Sequence, residues 1–455
     1  MIIYGTRQIF EEQLTSDQQA AASKLAHTGG GLVLWSPGTG KTRIALMAFA
    51  MLQNLNEWVS PSVLLVVCRR KAFDDWEDEC KKILPNCRVF RDFVPSAEQC
   101  HDSPAVSLIS DGMLRKLQTS LAIRVVVYDE SWLYANYQSR RSKIAAQIAK
   151  HRIGIALSGT VMKAKNLLEV YSQLKVTNKA SLTGADSASA FRSMYQICDN
   201  GSGFPIWKAK PGAYKLLMER IAPVTSVNFP ASPRASVTTF HRIEATPAQR
   251  EAFKELKDWY SLDQHDIELD SVMGMMHKIQ QISNGWISTP NGIKKIASNK
   301  PAKLIEELES ITANPDTKVV VWCAYRHDVA MLQKLLTAFK PVTFIGGQEF
   351  ELEAWRADPR VRVCIATEAS GSSVNHFAQV QHAIYFSCNF KWIDMQQSRK
   401  RTDRHNSKHT HCHYKYLQVA GSLDAHITAA ALTSGVEESR LIEEAQQAII
   451  KWAKK

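Results

Sequence analysis

The sequence predicts an α/β protein of two tandem lobes, each a parallel sheet with helices packed against it, and three observations carry that expectation. Short apolar, β-branched runs alternate with helical stretches, the alternation occurs twice, and a proline-punctuated stretch separates the two series. Runs of four to six residues that are apolar on both faces belong to sheets covered on both sides, and helices between them make the strands parallel. The first series is 31–35, 63–68, 106–109, 125–128 and 153–157. The second is 319–323, 342–345, 361–366, 383–386 and 414–419. Between them, residues 222–242 hold Pro223, Pro230 and Pro233 and are expected to form an extended connector. The expected lobes are therefore 1–228 and 229–455. Two stretches break the rhythm, about 178–220 and about 247–290, and are expected as insertions protruding from the lobes. The second is helical in pattern.

At 455 residues the chain has length for two or three domains, and 45% apolar with 22% charged residues excludes disorder as the main state. No apolar run approaches the 18 or more residues of a membrane span, and the first residues lack the h-region of a signal peptide. A cytoplasmic protein with no membrane partner is expected. Nine cysteines, an odd number without CxxC spacing, are expected as reduced, packed thiols. His409, His411, Cys412 and His413 alternate as a strand does, which sends neighbours to opposite faces, so no metal is expected there. The net charge of +12 favours a polyanionic partner.

The sharpest chemical signal is SPGTGKT, Ser36 to Thr42, between an apolar strand and a helical run. A strand that ends in a glycine-rich turn and enters a helix aims backbone N–H groups and the positive helix end at a phosphate. Pro37, Gly38, Thr39 and Gly40 form the loop. Lys41 is expected to reach the outer phosphates and Thr42 to hold Mg²⁺. The eight-residue pattern lacks its first glycine, since Trp35 stands there. An acidic partner at another strand end is required, and Asp129 with Glu130 supplies it after the run 125–128.

Taken in order, LTSDQ with Gln18, GTGKT, VVCRRKAFDDWEDE, DESW, LSGT, VVVWCAY, TEASGSSVN and QSRKRTDRH resemble the motifs of superfamily 2 helicases. Trp76, Glu79, Asn136, Asn375, Trp392 and the Gln397, Arg401, Arg404 spacing are most similar to the Swi/Snf-type double-stranded DNA translocases. The resemblance covers residues 14 to about 430 and implies two RecA-like lobes with ATP in the cleft between them. It implies that Gln18 reads adenine, that Gly371 belongs to the nucleotide site, and that Lys41 and Thr42 bind phosphate and Mg²⁺. Asp129 would coordinate the metal and Glu130 would position the attacking water. Gln397, Arg401 and Arg404 would complete the reaction centre from the second lobe. Residues expected along the DNA path are Arg69, Arg70, Lys71 and Ser110 in the first lobe. In the second they are Tyr325, Arg326, Thr367, Ser370, Ser372, Lys391 and Trp392.

The sequence departs from that pattern at Trp132, where His is usual, at Val161 in place of Pro, and at Arg69 and Lys71 in place of Pro and Ser. The expected function is an ATP-dependent DNA translocase or helicase, monomeric, that remodels duplex or branched DNA in replication, recombination or repair, beside replication or recombination proteins. Its minimal size suits a phage or bacterial member. An RNA helicase of the same superfamily and a nucleotide-switched DNA-binding protein that does not travel remain as alternatives.

Overall fold

The computed structural model describes residues 14–36, 38–55, 62–100, 103–117, 122–159, 167–199, 206–228, 235–262, 269–346, 351–368, 377, 379–389, 392–403 and 409–432. The chain divides into two compact units, Met1–Ala231 and Ser232–Lys455. Each is a parallel α/β lobe of the RecA-like kind expected.

The first unit contains strands β1 (Gly31–Trp35), β2 (Val63–Cys68), β3 (Arg88–Arg91), β4 (Ala105–Ser110), β5 (Ile123–Tyr128), β6 (Ile153–Ser158), β7 (Gln196–Asp199), β8 (Ile206–Ala209) and β9 (Thr225–Asn228). Seven of them form one sheet in the order β3-β4-β2-β5-β6-β1-β9, while β7 and β8 pair as a separate hairpin. Every pairing in the seven-stranded sheet is parallel. The helices are α1 (Ser16–Thr28), α2 (Lys41–Leu55), α3 (Phe73–Ile83), α4 (Arg140–Ala149), α5 (Leu167–Val176), α6 (Ala188–Tyr195) and α7 (Ala213–Ile221).

Strand period explains why the runs are apolar throughout. In β1, Val33 and Trp35 face α1, α2 and α3, whereas Leu32 and Leu34 face α5, α6 and α7. In β2, Leu64 and Val66 share the first of these cores, and Leu65 and Val67 lie in a third with α4. Helix α3 shows the complementary rule. Its buried residues Phe73, Trp76, Cys80 and Ile83 recur at helical spacing, Asp74 and Asp75 occupy its positive first turn and Lys81 and Lys82 its last. Burying Phe73 and Ile83 contributes about 1.5–3 kcal/mol each.

The stretch 178–220 does not protrude as expected. Phe191 and Tyr195 of α6 and Leu217 and Ile221 of α7 are buried with Leu32 and Leu34 of β1, so these helices are a layer of the lobe. The apolar pairs sit four residues apart in each helix, a stripe that the neighbouring glycines and serines obscured. The connector 222–242 is also more than a linker. After a short 3₁₀ turn, β9 pairs with β1 (Leu32 beside Thr225), and the other end forms a strand of the second sheet.

That second sheet has the order β10-β17-β16-β13-β15-β14, all parallel. Its strands are β10 (Ala235–Ile243), β13 (Val319–Cys323), β14 (Val342–Phe344), β15 (Val363–Thr367), β16 (His382–Tyr385) and β17 (His411–Val419), and β11 (Trp286–Thr289) with β12 (Gly292–Lys295) forms a hairpin. The helices are α8 (Pro247–Leu262), α9 (Leu269–Asn284), α10 (Lys300–Thr312), α11 (Arg326–Leu335), α12 (Leu352–Ala357), α13 (Trp392–Thr402) and α14 (Asp424–Leu432). The region 247–290 is helical as expected but not a protrusion. Phe253, Met275, Met276, Ile279 and Ile282 pack into the main core of the unit.

A buried polar network ties this unit together. Asp328 accepts from Ser387 Oγ and Trp286 Nε1 at 2.7 Å each and from Asn284 Nδ2 at 3.0 Å. Lys300, fully buried, donates to Asn284 Oδ1 at 3.0 Å and Asp424 Oδ2 at 2.9 Å. Burial pushes the Asp328 carboxyl up to about 6. Among the described residues no helix is long and apolar enough to cross a membrane, and no three His, Cys, Asp or Glu are grouped to hold a metal ion.

Candidate nucleotide-hydrolysing site

Parallel strands end on the same edge of a sheet, so in the first unit the loops after β1, β2, β4, β5 and β6 emerge together. The register aligns those ends: Leu34 lies beside Ser158, Val67 beside Tyr128 and Cys68 beside Ser110. One strand, β6, separates the glycine-loop strand β1 from the acidic strand β5.

The loop after β1 is shaped by its glycines. Gly38 and Gly40 have φ of 79° and 83°, a left-handed backbone that glycine adopts without cost. Thr39 Oγ1 donates to Ser36 O at 2.6 Å, and Ile44 N donates to Gly40 O as α2 begins. The first turn of α2 holds no acidic residue to offset its positive end. Lys41 Nζ donates to Trp35 O at 3.1 Å and Ser36 O at 3.2 Å, the loop's own carbonyls. Gln18 braces the loop from α1. Its Nε2 donates to Thr39 O at 2.9 Å while its Oε1 accepts from Thr15 N at 3.0 Å in a capping box. A Cβ on Gly40 would lie 2.4 Å from Gln18 Nε2. Both ends of the Gln18 amide are thus engaged within the protein, a loop-bracing role that the sequence does not disclose. Pro37 lies outside the described residues.

The two carboxylates after β5 are each gripped by an indole. Asp129 Oδ2 accepts from Trp76 Nε1 at 3.1 Å, and its Oδ1 accepts from Glu130 N at 3.0 Å. Glu130 Oε2 accepts from Trp132 Nε1 at 2.8 Å, and Glu130 itself is left-handed, with φ and ψ both 54°. Burial pushes the Asp129 carboxyl up, against the Trp76 N–H and the nearby Lys41 ammonium. Burial and the Asp129 charge raise Glu130, against Lys41, Trp132 and Arg69. Helix α3 bridges both halves of the site, because its Glu79 also takes a two-pronged contact from Arg43 at 2.6 and 3.3 Å. Trp76 is read from the sequence only as a family marker and Trp132 only as a departure from the family pattern; their hydrogen bonds span chain distances or side-chain directions that spacing does not show.

The residues fit a magnesium-bound triphosphate. A hard divalent cation takes oxygen donors from one or two protein groups beside the phosphates, and the Thr42 hydroxyl in the first turn of α2 and the Asp129 carboxylate after β5 are such donors. The left-handed glycine loop, with the Lys41 ammonium lying against its carbonyls, suits the phosphates themselves.

On the same edge, Arg69 heads the turn after β2 and lies over the Trp132 ring, 5.8 Å from Cζ to centroid. Arg70 is exposed and ion-paired with Asp92, Lys71 is half-buried, and Ser110 ends β4. These four expected DNA contacts are brought together.

In the second unit the outcome is mixed. Arg326 is exposed and donates to Gly346 O at 2.7 Å. Tyr325 is not a free contact. Its hydroxyl donates to Gln280 Oε1 and meets His277 Nδ1, both at 2.8 Å, which fastens β13 to α9. Thr367 is 7% exposed at the end of β15. Gln397 is buried, and Arg401 is 2% exposed, its guanidinium over Trp322 at 5.9 Å and its Nε donating to Gln397 O. Four residues after Gln397 on α13, it shares the helix face that packs on the sheet. Arg404, Ser370, Gly371, Ser372 and Lys391 lie outside the described residues, and Trp392 is described only as the first residue of α13.

Fold and edge together define a two-lobed parallel α/β protein whose first lobe presents a glycine loop, a lysine and a gripped acidic pair on one sheet edge. No protein-family model matches the chain and no curated protein matches it. It is similar to the Sulfolobus solfataricus SWI2/SNF2 ATPase core solved in complex with double-stranded DNA, at 15% identity over 96% of this chain and 94% of that one, with a TM-score of 0.42. A second structure, of the Sulfolobus solfataricus SWI2/SNF2 ATPase core domain, is 18% identical over 96% and 93%, with a TM-score of 0.39. At these identities and TM-scores the likeness says nothing of what the chain does. That rests on its own residues.

Proposed function

We propose that the chain hydrolyses ATP to drive movement along duplex or branched DNA, remodelling it by fork reversal, branch migration or unwinding. The observation that carries this is the placing of the Lys41 loop and the indole-held Asp129 and Glu130 on one sheet edge, at strand ends separated by a single strand, where a triphosphate on the loop meets a carboxylate able to order water. Lys41 exchanges the Trp35 and Ser36 carbonyls for phosphate oxygens, and the N–H groups at the start of α2 add fixed positive potential. Thr42 and Asp129 would hold Mg²⁺, which neutralises charge gathering on the transferring phosphoryl group. Glu130 accepts a hydrogen bond from the attacking water and aligns it. DNA as the partner is supported by the net charge of +12 and by Arg69, Arg70, Lys71 and Ser110 on the edge beside the site, groups suited to phosphate contacts that do not read sequence.

The inward Arg401 favours a second reading, a nucleotide-switched DNA-binding protein that hydrolyses slowly and does not travel. One experiment separates them. ATPase rate is measured against single-stranded, duplex, forked and four-way DNA and against RNA, alongside displacement of a third strand from a distant triplex site. The motor reading requires DNA-stimulated turnover and triplex displacement. Stimulation without displacement leaves the switch, stimulation by RNA alone leaves an RNA helicase, and indifference to all nucleic acid ends the proposal.

A further inference from the structure

A second concave region lies at the opposite edge of the first sheet, where strands begin. A cavity of about 350 Å³ opens between the start of β5, the turn from α4 into β6 and the turn after α5. That volume is at the small end for ligand pockets, about 300–1,000 Å³. Arg124, Lys150, His151 and Arg152 line it, and no Asp or Glu does. Helix ends account for part of this charge. Lys150 and Arg152 follow the carbonyl end of α4, and Arg152 Nη1 donates to Ile148 O at 2.7 Å. Arg124 has no such role. It belongs to a strand between β2 and β6 and is the one exposed residue of β5. Val125 pairs with Ile153, so Arg124 and Arg152 precede that pair on neighbouring chain segments. Like charges opposed across a sheet are destabilising, and Arg124, Lys150 and His151 have no carboxylate partner among the described residues.

We propose that this cavity binds a small organic phosphate. The Arg124 and Arg152 guanidinium groups hold the phosphate through charge-assisted hydrogen bonds, and the anion relieves the repulsion between them. Lys150 and His151, both exposed, add donors from the turn. Asn178, left-handed at φ of 58°, donates from Nδ2 to Lys150 O at 3.4 Å, which ties the turn after α5 to the turn from α4 into β6. Ile123 and Ile153 line the rest and suit the carbon part of the ligand. A duplex suits the site less, because its phosphates lie on a convex rod and meet so small a cavity one at a time. Arg124 lies five residues before Asp129 on the same strand, about 16 Å away. The site is therefore separate from the hydrolytic one and does not depend on the proposed function.

The test measures binding of phenyl phosphate to the full-length chain by isothermal titration calorimetry, in a Lys41→Ala background so that the glycine loop does not compete. One saturable site is expected, and phenol gives no heat. Arg124→Ala weakens binding about 10- to 100-fold, the loss of hydrogen bonds to a charged group. Lys150→Ala weakens it less. Lys254→Ala, exposed on α8, leaves it unchanged. Melting curves without ligand check that the variants fold. Should Arg124→Ala not fold, Arg124→Lys, which keeps the charge and loses the fork, decides instead, and unchanged affinity there overturns the proposal. No saturable binding, equal affinity in Arg124→Ala, or an equal loss in Lys254→Ala also overturns it. So does an affinity for duplex DNA, read by fluorescence anisotropy, that falls in Arg124→Ala while phenyl phosphate does not bind, since the cavity then serves nucleic acid.

Discussion

Replacing Gly40 by alanine tests whether the glycine loop is built around Gln18. At φ of 83° an alanine carries the left-handed penalty of about 1–2 kcal/mol. Its Cβ would also stand 2.4 Å from Gln18 Nε2, closer than any stable contact, so the amide must leave Thr39 O. Losing that hydrogen bond costs about 1 kcal/mol. The loop relaxes out of shape to relieve both, and nucleotide must restore it at a cost of about 2–3 kcal/mol, a Kd about 30- to 150-fold weaker. Titration with a fluorescent ATP analogue reads this directly. A second substitution decides the cause. If Gln18 is the obstacle, Gln18→Ala weakens binding less in the Gly40→Ala protein than in wild type, since it removes the clash and leaves only the backbone strain. Unchanged affinity in Gly40→Ala, or full additivity with Gln18→Ala, refutes the reasoning.

Glu130→Gln keeps the shape of the side chain but weakens its acceptance from water, and turnover is expected to fall about 10²- to 10⁴-fold while the ATP analogue still binds; loss of binding in step with turnover would place Glu130 in the phosphate cradle. Lys300→Met strands the Asp424 carboxylate, 5% exposed, with the Val419 N–H as its remaining partner, and is expected to cost about 3–5 kcal/mol of stability. Adding Asp424→Asn should recover part of it, and a calorimetric scan of both proteins checks this. The Asp328 carboxyl, raised in the fold to about 6 from 3.8, favours the protonated form, so its contribution is full below pH 4 and is lost as pH rises through 6, by about 3 kcal/mol in all. Urea denaturation from pH 4 to pH 7 should show wild type losing stability relative to Asp328→Asn by up to that amount; parallel curves would mean the carboxyl titrates alike folded and unfolded.

The strands of both lobes were legible because they are buried on two faces, and a run such as 63–68 leaves little else that it can be. Of the four edge strands, only β14 was, through its buried Val342 and Phe344; β3, β9 and β10 were not. In β10 all but Ile243 are exposed or half-buried, and β3 places Arg88 and Arg91 on its exposed positions, so neither carries an apolar run. Helices α6, α7, α8 and α9 were assigned to protrusions because the sequence shows a stripe but not what covers it. The same limit applies at the candidate site. Glycine loop, lysine and acidic pair could be named in the sequence, since their chemistry depends on short spacing at a strand end.

Which groups hold them could not be named. Trp76 reaches Asp129 across 53 residues, and Gln18 reaches the Thr39 carbonyl across 21, contacts that exist only once α1 and α3 dock on one face of the sheet. The direction of Arg401 was likewise decided by packing, because a four-residue offset from buried Gln397 turns it onto Trp322 rather than outward. The order of residues along the chain determined what chemistry is present. Which side chains are engaged, inward or left to meet a ligand was decided by the faces on which the helices settled, since hydrogen-bond partners are chosen by position in space and not by distance along the chain.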